Sequence, residues 1–165
     1  MKNLLYIVLF ISSFQSVAQK TLDELLQQYN TRSIPYISVE ELKMFQQNKD
    51  LVLLDAREPE EFKVSHIKGA VFSGYSNFSA EAISQSIKDK SVLIVVYCSL
   101  GIRSEKISEK LKAEGYSNVR NLYGGIFEWK NKGFAVFDSE GKETEKVHAY
   151  SKNWSKWLTK GEKIY

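Results

Sequence analysis

The segment Ser91-Val-Leu-Ile-Val-Val-Tyr-Cys-Ser-Leu-Gly-Ile-Arg-Ser104 decides the fold of this chain. It begins with an unbroken aliphatic run, Val92 to Val96. Such a run is typical of a strand that is covered on both faces, as in the centre of a mostly parallel sheet. Downstream, Ile107 and Leu111 lie four residues apart among charged residues, and Gly115 suits the end of a helix. The segment therefore predicts a buried strand, a short loop and a helix.

Cys98, the only cysteine of the chain, follows the strand directly and lies in the loop that opens the helix. Open α/β sheets bind their ligands at this position. A helix N-terminus favours a thiolate, Arg103 adds a fixed positive charge, and Gly101 allows the loop amides to converge. The loop can therefore cradle an anion that is carried on, or attacked by, the Cys98 sulfur. A buried structural cysteine is the alternative.

The composition limits the classes of function that the chain can have. A length of 165 residues suits one domain with extensions, and 43% hydrophobic residues can build a core. The net charge is only +3 and no basic cluster is interleaved with aromatic residues, so no nucleic-acid partner is expected. His66 and His148 are far apart in sequence and have no ligand-like neighbours, so no metal site is expected either.

The first 18 residues have the pattern of a secretory signal peptide. Lys2 supplies the initial charge, Leu4 to Ile11 is a short apolar core, and Ser16-Val-Ala18 provides small residues for cleavage. The apolar run is too short to span a bilayer comfortably. We therefore expect a periplasmic or secreted protein, cut near Ala18 and without a stable membrane anchor; an uncleaved anchor is the alternative. A lone cysteine in that compartment is either a free thiol or an intermolecular partner.

Strands and helices alternate along the rest of the chain until about residue 137. Ser38-Val-Glu-Glu41 has the form of a capping box, Leu51 to Leu54 is a buried strand by its apolar run, and Pro59 suits a first helical turn. Alternation of this kind predicts parallel βα units in one domain. Beyond it, residues 138–165 are rich in Lys and Glu and show no apolar strand.

Five short motifs, in this order, resemble those of single-domain rhodaneses. They are Leu53-Leu-Asp-Ala-Arg57, Glu61-Phe62, His66-Ile-Lys-Gly-Ala70, Tyr97-Cys98 through Gly101 to Arg103, and Tyr123-Gly-Gly-Ile-Phe-Glu-Trp129. The resemblance implies a three-layer α/β fold, in which helices flank both faces of a five-stranded parallel sheet. The organisation expected is a signal peptide at 1–18, an N-terminal extension at 19–37, a rhodanese-like domain at 38–137 and a charged, tryptophan-containing tail at 138–165.

The resemblance also implies a sulfurtransferase. Cys98 matches the nucleophile that takes a sulfane sulfur from a donor such as thiosulfate, carries it as a persulfide and passes it to a thiol or cyanide. Arg103 matches the loop-closing arginine that positions an anionic donor or persulfide. Asp55 and Arg57 match a supporting pair, more structural than catalytic. No cofactor is implied beyond the covalent persulfide. The loop that would hold the terminal sulfur comprises Ser99, Leu100, Gly101, Ile102 and Arg103.

Other functions remain open at this point. Cysteine phosphatases have five residues between Cys and Arg, whereas Cys98 and Arg103 enclose four, so a phosphatase is the less favoured enzyme. The tail favours a second alternative, a non-catalytic binding module with a protein partner, because Trp154, Trp157 and Leu158 suggest a short amphipathic helix. The tail then either wraps the domain or acts as a lid. A third alternative is a thiol sensor that forms an intermolecular disulfide.

Overall fold

The computed structural model describes residues 20–48 and 51–165. The predicted signal peptide, residues 1–18, lies outside the described residues and stays a prediction. Within the described part of the chain, no helix combines the length and the apolar character that crossing a membrane requires.

One five-stranded parallel sheet forms the centre of the domain. Its strands are β1 (Tyr36–Ile37), β2 (Leu51–Asp55), β3 (Val71–Phe72), β4 (Leu93–Tyr97) and β5 (Val119–Leu122). Their order across the sheet is β1-β5-β4-β2-β3, and every neighbouring pair is parallel. The predicted five-stranded parallel sheet is therefore confirmed.

Strand β4 is the middle strand, as its aliphatic run predicts. Val96 pairs in register with Leu54 of β2 on one side and with Asn121 of β5 on the other. Its side chains alternate between two cores, because successive residues of a strand point to opposite faces. Val95 belongs to one core and Ile94 to the other, and both are fully buried.

Helices cover both faces of the sheet. They are α1 (Leu22–Tyr29), α2 (Val39–Asn48), α3 (Pro59–Val64), α4 (Ala80–Ser86), α5 (Ile102–Ala113) and α6 (Gly125–Asn131). On one face, Leu42 of α2 and Phe127 of α6 pack in the same core as Val95. On the other face, Ile107 of α5 packs with Val96, and Ile83 of α4 lies against that core. The predicted three-layer arrangement is therefore present.

Local sequence signals set the helix ends. At the start of α2, the Ser38 amide donates to Glu41 Oε2 over 2.9 Å, and the Glu41 amide donates to Ser38 Oγ over 3.2 Å. This reciprocal capping box satisfies two backbone donors that have no acceptor within the helix. Helix α5 ends at Ala113, and Gly115 follows with φ of +97°, a conformation that glycine adopts without strain.

The tail, residues 138–165, contains short strands, but none of them is an apolar run, in line with its sequence. Just before the tail, β6 (Val136–Phe137) pairs antiparallel with β7 (Glu143–Thr144) of the tail, and within the tail β8 (Lys146–His148) pairs parallel with β9 (Glu162–Ile164). Strands of two or three residues are too short to show an alternating pattern in sequence. Instead of an amphipathic α-helix, Ser155–Trp157 forms one 3-10 turn.

The tail packs against the domain. Val147 and Leu158 are buried in the core on the α2 and α6 face of the sheet, and Trp154 and Trp157 lie partly buried against it. Burying apolar side chains in this way stabilises the attachment of the tail. The tail is therefore placed to reach the carboxyl end of β4, where Cys98 lies.

Candidate active site

Cys98 lies directly after β4, with only 2% of its surface exposed. The loop then turns through Gly101, whose φ of +107° is accessible to glycine without strain, and α5 begins at Ile102. The turn brings the Gly101 amide back to the sulfur, to which it donates a hydrogen bond over 3.1 Å. The sulfur therefore lies at the N-terminus of a twelve-residue helix, where backbone amides and the helix dipole favour negative charge.

Two side-chain amides fix the loop backbone. The Gly101 carbonyl accepts from Nδ2 of Asn121 over 2.8 Å and from Nδ2 of Asn30 over 2.9 Å. Asn121 is fully buried on β5, and Asn30 follows α1, so the sheet and the N-terminal extension hold the same peptide group. Ser104 Oγ lies 2.7 Å from Asn121 Oδ1 and 3.5 Å from Cys98 Sγ, so its single proton can serve either acceptor.

Helix α6 supports the loop from a second direction. The Ile126 amide donates to the Cys98 carbonyl over 2.9 Å, and the Phe127 amide donates to the Ser99 carbonyl over 3.2 Å. Gly125, with φ of +56°, makes this approach possible: a Cβ there would lie 2.2 Å from the Cys98 carbonyl oxygen. The glycine motif after β5 thus allows α6 to approach and position the cysteine loop, and it also forms the turn into α6.

Arg103 forms a bidentate ion pair with Glu61 of α3. The distances are 2.6 Å from Nη1 to Oε2 and 2.8 Å from Nη2 to Oε1. Ser99 Oγ joins the pair, because it donates to Glu61 Oε1 and accepts from Arg103 Nη2, both over 3.0 Å. Arg103 therefore keeps a fixed orientation beside the loop, and its positive charge is shared with a carboxylate that is itself buried.

The electrostatics of the loop favour the thiolate of Cys98. Burial alone raises the pKa of the thiol, but the charge of Arg103 and hydrogen bonds from Ser104 and the Gly101 amide outweigh it, so the net pKa is lowered. These are the conditions under which a cysteine becomes a nucleophile near neutral pH.

A small pocket of about 130 Å³ leads to the sulfur. Its walls come from the cysteine loop and from the tail. Its lining residues are Cys98, Ser99, Leu100, Ile102, Arg103, Tyr150 and Trp154. The pocket has room for a small molecule, and the tail supplies part of its wall.

Asp55 and Arg57 lie apart from this pocket and form a buried ion pair. Arg57 Nη2 donates to Asp55 Oδ2 over 2.7 Å and to the Ser65 carbonyl over 2.6 Å, and both side chains of the pair are fully buried. The pair connects the end of β2 to the residue after α3. This geometry is compatible with the supporting role that the resemblance implies for the two residues.

The predicted loop residues are therefore together around one pocket, with one difference. Gly101 does not line the pocket but places its amide on the sulfur. Sequence reasoning missed the contact of Glu61 with Arg103 and the place of Tyr150 beside Cys98, and it left open whether the tail that carries Trp154 covers the site. Among the residues that the structure describes, no group of three or more His, Cys, Asp or Glu side chains is arranged to hold a metal ion.

A cysteine presented between a central parallel strand and a helix N-terminus, with an arginine closing the loop, defines an α/β domain with an activated thiol. A profile of the rhodanese-like domain family matches residues 38–132, which is more than half of the chain. The chain belongs to the rhodanese-like domain family.

Curated relatives match about half of the chain. The tRNA uridine(34) hydroxylase of Listeria monocytogenes is 38% identical over 96 residues, which are 55% of this chain and 30% of that protein. The protein of the same name from Streptococcus pneumoniae is 36% identical over 96 residues, with 29% of its length covered. The chain thus spans less than a third of the length of these relatives.

Solved structures show the same fold. A rhodanese-like domain protein from Staphylococcus aureus superposes with a TM-score of 0.51 at 25% identity, over 64% of this chain and 99% of that chain. Thiosulfate sulfurtransferase from Pseudomonas aeruginosa superposes with a TM-score of 0.58 at 24% identity, over 77% of this chain and 24% of that chain. The second likeness bears on the fold alone.

Proposed function

We propose that this protein is a sulfurtransferase that carries sulfane sulfur as a persulfide on Cys98. The observation that carries the proposal is the environment of the buried Cys98 sulfur. The sulfur accepts a hydrogen bond from the Gly101 amide over 3.1 Å and lines a small pocket. Its lowered pKa favours the thiolate, which is the nucleophilic form of cysteine. The loop amides and the N-terminus of α5 provide the positive electrostatic environment that a terminal persulfide anion needs.

The reaction proceeds in two half-reactions. In the first, the Cys98 thiolate attacks the outer sulfur of thiosulfate; the new S–S bond forms on Cys98, the S–S bond of the donor breaks, and sulfite leaves with the electron pair. In the second, a thiolate or cyanide attacks the terminal sulfur of the persulfide and takes it. The electron pair returns to Cys98 as thiolate, so no cofactor is needed. Arg103 orients the anionic donor, and Glu61 and Ser99 hold Arg103.

The experiment that tests this proposal is a sulfur-transfer assay with purified protein, thiosulfate and cyanide, in which thiocyanate is measured. The wild type should produce thiocyanate in multiple turnovers, and Cys98→Ser, which keeps the size of the side chain, should produce none. Circular dichroism and the melting temperature of Cys98→Ser serve as the folding control. Transfer by the serine variant, or no transfer by the wild type with any sulfane donor, would contradict the proposal.

The name of the curated relatives favours a second candidate, hydroxylation of a tRNA uridine, because the shared 96 residues are 38% identical. We favour sulfur transfer because a persulfide cycle needs only Cys98 and its loop. Incubation of the chain with unmodified tRNA and dioxygen as the oxidant, followed by mass spectrometry of the nucleosides, distinguishes sulfur transfer from hydroxylation. Our proposal expects no hydroxylated uridine, and a Cys98-dependent gain of one oxygen would favour the second candidate.

We also propose that the protein acts outside the cytoplasm, on small-molecule sulfur donors and thiol acceptors. The support is the signal-peptide pattern of residues 1–18. Fractionation of cells that express the full chain, with sequencing of the N-terminus, tests this. A mature protein that begins near Gln19 in the periplasm or medium is expected, and an uncut chain in the cytoplasm would contradict the proposal.

A further inference from the structure

Two aromatic side chains of the tail flank the approach to Cys98, and a third, from the N-terminal extension, packs against one of them. Tyr150 and Trp154 line the pocket. The Trp154 ring meets the ring of Tyr29, at the end of α1, edge to face, with the centroids 5.8 Å apart. We call Tyr29, Tyr150 and Trp154 the aromatic rim. All three lie outside residues 38–132, the part of the chain that the family profile matches, so the rim is an addition to the common domain.

The backbone holds Tyr150 in an unusual conformation. Its φ is +64°, which costs energy for a residue other than glycine. Two hydrogen bonds maintain it: the Ser151 amide donates to the Ala149 carbonyl over 2.7 Å, which closes a γ-turn, and the Tyr150 amide donates to His148 Nδ1 over 3.1 Å. The turn places the ring over Arg103, with the guanidinium carbon 4.7 Å from the ring centroid. The ring thus forms one wall of the pocket.

The charge of the pocket is poorly suited to a dianion. Among the residues that the structure describes, Arg103 is the one cationic side chain that lines the pocket. Its guanidinium is already paired with Glu61 over 2.6 and 2.8 Å and is covered by the Tyr150 ring. Burying a second negative charge there is unfavourable, because Arg103 already shares its charge with Glu61 and compensates only in part for the lost hydration of a dianion. The loop amides are left to stabilise the negative charge of one sulfur atom.

The shape and lining of the pocket suit a small apolar group. Its volume of about 130 Å³ is slightly below the roughly 150 Å³ of an apolar cavity that holds benzene. Leu100, Ile102 and the two rim residues Tyr150 and Trp154 supply the apolar walls. We propose that the aromatic rim selects organic sulfur donors: monoanionic thiosulfonates or persulfides with a small apolar substituent, in preference to the thiosulfate dianion.

This inference rests on the proposed function, because donor selection requires that Cys98 accept sulfur. With a thiosulfonate, R–SO₂–S⁻, the Cys98 thiolate attacks the outer sulfur and a new S–S bond forms. The bond to the sulfonyl sulfur breaks, and the electron pair leaves on the sulfinate, R–SO₂⁻. The persulfide on Cys98 is the same one that thiosulfate produces. Only the leaving group differs, and its substituent R is the part that the rim would contact.

The test compares kcat/KM for benzenethiosulfonate, methanethiosulfonate and thiosulfate, with cyanide as the common acceptor and the uncatalysed rates subtracted. The variants are Tyr150→Asn, Tyr150→Phe, Trp154→Ala and Tyr165→Ala. Asparagine removes the ring but tolerates a positive φ. Phenylalanine keeps the ring, and Tyr165 is an exposed tyrosine of the same tail that does not line the pocket.

The measured quantity is the ratio of kcat/KM for benzenethiosulfonate to that for thiosulfate. It should fall about tenfold in Tyr150→Asn and in Trp154→Ala, the scale of losing one apolar contact to a substrate group. It should stay at the wild-type value in Tyr150→Phe and Tyr165→Ala. Comparing ratios between variants cancels the intrinsic difference between the two leaving groups.

The two proposals fail in different ways. If the wild type transfers sulfur but the ratio is unchanged in both Tyr150→Asn and Trp154→Ala, the role of the rim is wrong and the sulfurtransferase stands. If the wild type transfers sulfur from none of the three donors, the proposed function itself is contradicted. Should Trp154→Ala fail to fold, Tyr150→Asn still decides, because the Tyr150 side chain is half exposed and its loss leaves no buried cavity.

Discussion

Glu61 and Arg103, separated by 42 positions in sequence, form a bidentate ion pair beside the cysteine loop. The Glu61 side chain is 3% exposed and that of Arg103 is 13% exposed. Arg103 in turn lowers the pKa of the Cys98 thiol. We therefore expect the carboxylate on α3 to offset part of the positive charge that acts on the sulfur, so that removing one partner or the other shifts the pKa of Cys98 in opposite directions.

The pH dependence of Cys98 alkylation should move in opposite directions in two variants. In the wild type, the rate of alkylation by iodoacetamide plotted against pH should have its inflection below 9.0, the ordinary pKa of a thiol. Arg103→Met should raise it, because the cation is lost. Glu61→Gln should lower it further, because Arg103 then acts on the sulfur without a compensating carboxylate.

The control for this prediction is the double variant Glu61→Gln with Arg103→Met, which leaves no unpaired buried charge. Its inflection should lie above that of the wild type, near that of Arg103→Met. Inflections that shift in the same direction in the two single variants would contradict the electrostatic account.

The same ion pair should make stability depend on pH. Burial raises the pKa of the Glu61 carboxyl, but the hydrogen bonds and charge of Arg103 outweigh it, so the pKa lies below the ordinary value of 4.5. The pair therefore stabilises the fold fully above about pH 4.5, and this stabilisation is lost as the pH falls through the lower folded pKa.

We accordingly expect Glu61→Gln to lower the free energy of unfolding by about 3 kcal/mol at neutral pH, since it leaves Arg103 without its partner. Urea unfolding at several pH values measures the difference. The gap between wild type and variant should narrow below pH 4.5. A gap that is constant or widens towards acid would show that the carboxylate charge is not the source of the stabilisation.

Ser104→Ala should raise the pKa of the Cys98 thiol and slow sulfur loading several-fold. Its hydroxyl lies 3.5 Å from the sulfur, and a hydrogen bond to the charged form favours that form. Ser108→Ala is the matched control, because Ser108 is a buried serine on α5 whose Oγ has no hydrogen-bond partner among the described residues. Its removal should leave the alkylation profile unchanged. Equal shifts in the two variants would contradict a specific role for Ser104.

Gly125→Ala should impair sulfur loading strongly, because a Cβ there would lie 2.2 Å from the Cys98 carbonyl oxygen and 2.7 Å from that of Ser99. Either α6 or the cysteine loop must move. Gly133→Ala is the control: Gly133 also has a positive φ, +84°, but nothing lies within 4 Å of the added carbon.

The control should therefore lose only about 1–2 kcal/mol of stability from backbone strain and keep its sulfur loading. Thermal unfolding and persulfide formation, measured on both variants, distinguish backbone strain from the steric clash of the added Cβ. Loading that is equally reduced in Gly133→Ala and Gly125→Ala would show that the close approach of α6 is not what positions Cys98.

The central strand and the helix ends could be predicted because their causes are local. The aliphatic run of β4 requires cover on both faces, and Ser38 and Glu41 satisfy each other's amides within one turn. The cysteine loop was also predictable, since a strand and a helix N-terminus enclose it. Each of these features depends on residues that lie within a few positions of one another.

The features that the sequence did not reveal depend on tertiary packing. Glu61 stands in a recognisable motif, but nothing near it indicates that its carboxylate reaches Arg103. Tyr150 and Trp154 lie in a charged tail whose strands of two or three residues show no periodicity. Their place beside Cys98 follows from the pairing of β8 with β9 and from the γ-turn at Tyr150. The small, aromatic character of the pocket was therefore not predictable.

The intact mass of the purified protein after incubation with a sulfane donor tests the central claim most directly. Thiosulfate and benzenethiosulfonate are to be compared, each with and without subsequent reductant. A gain of one sulfur atom, roughly 32 Da, that the reductant removes and that Cys98→Ser lacks is the result that a Cys98 persulfide predicts. No gain with either donor, while Cys98 still reacts with iodoacetamide, would contradict the account.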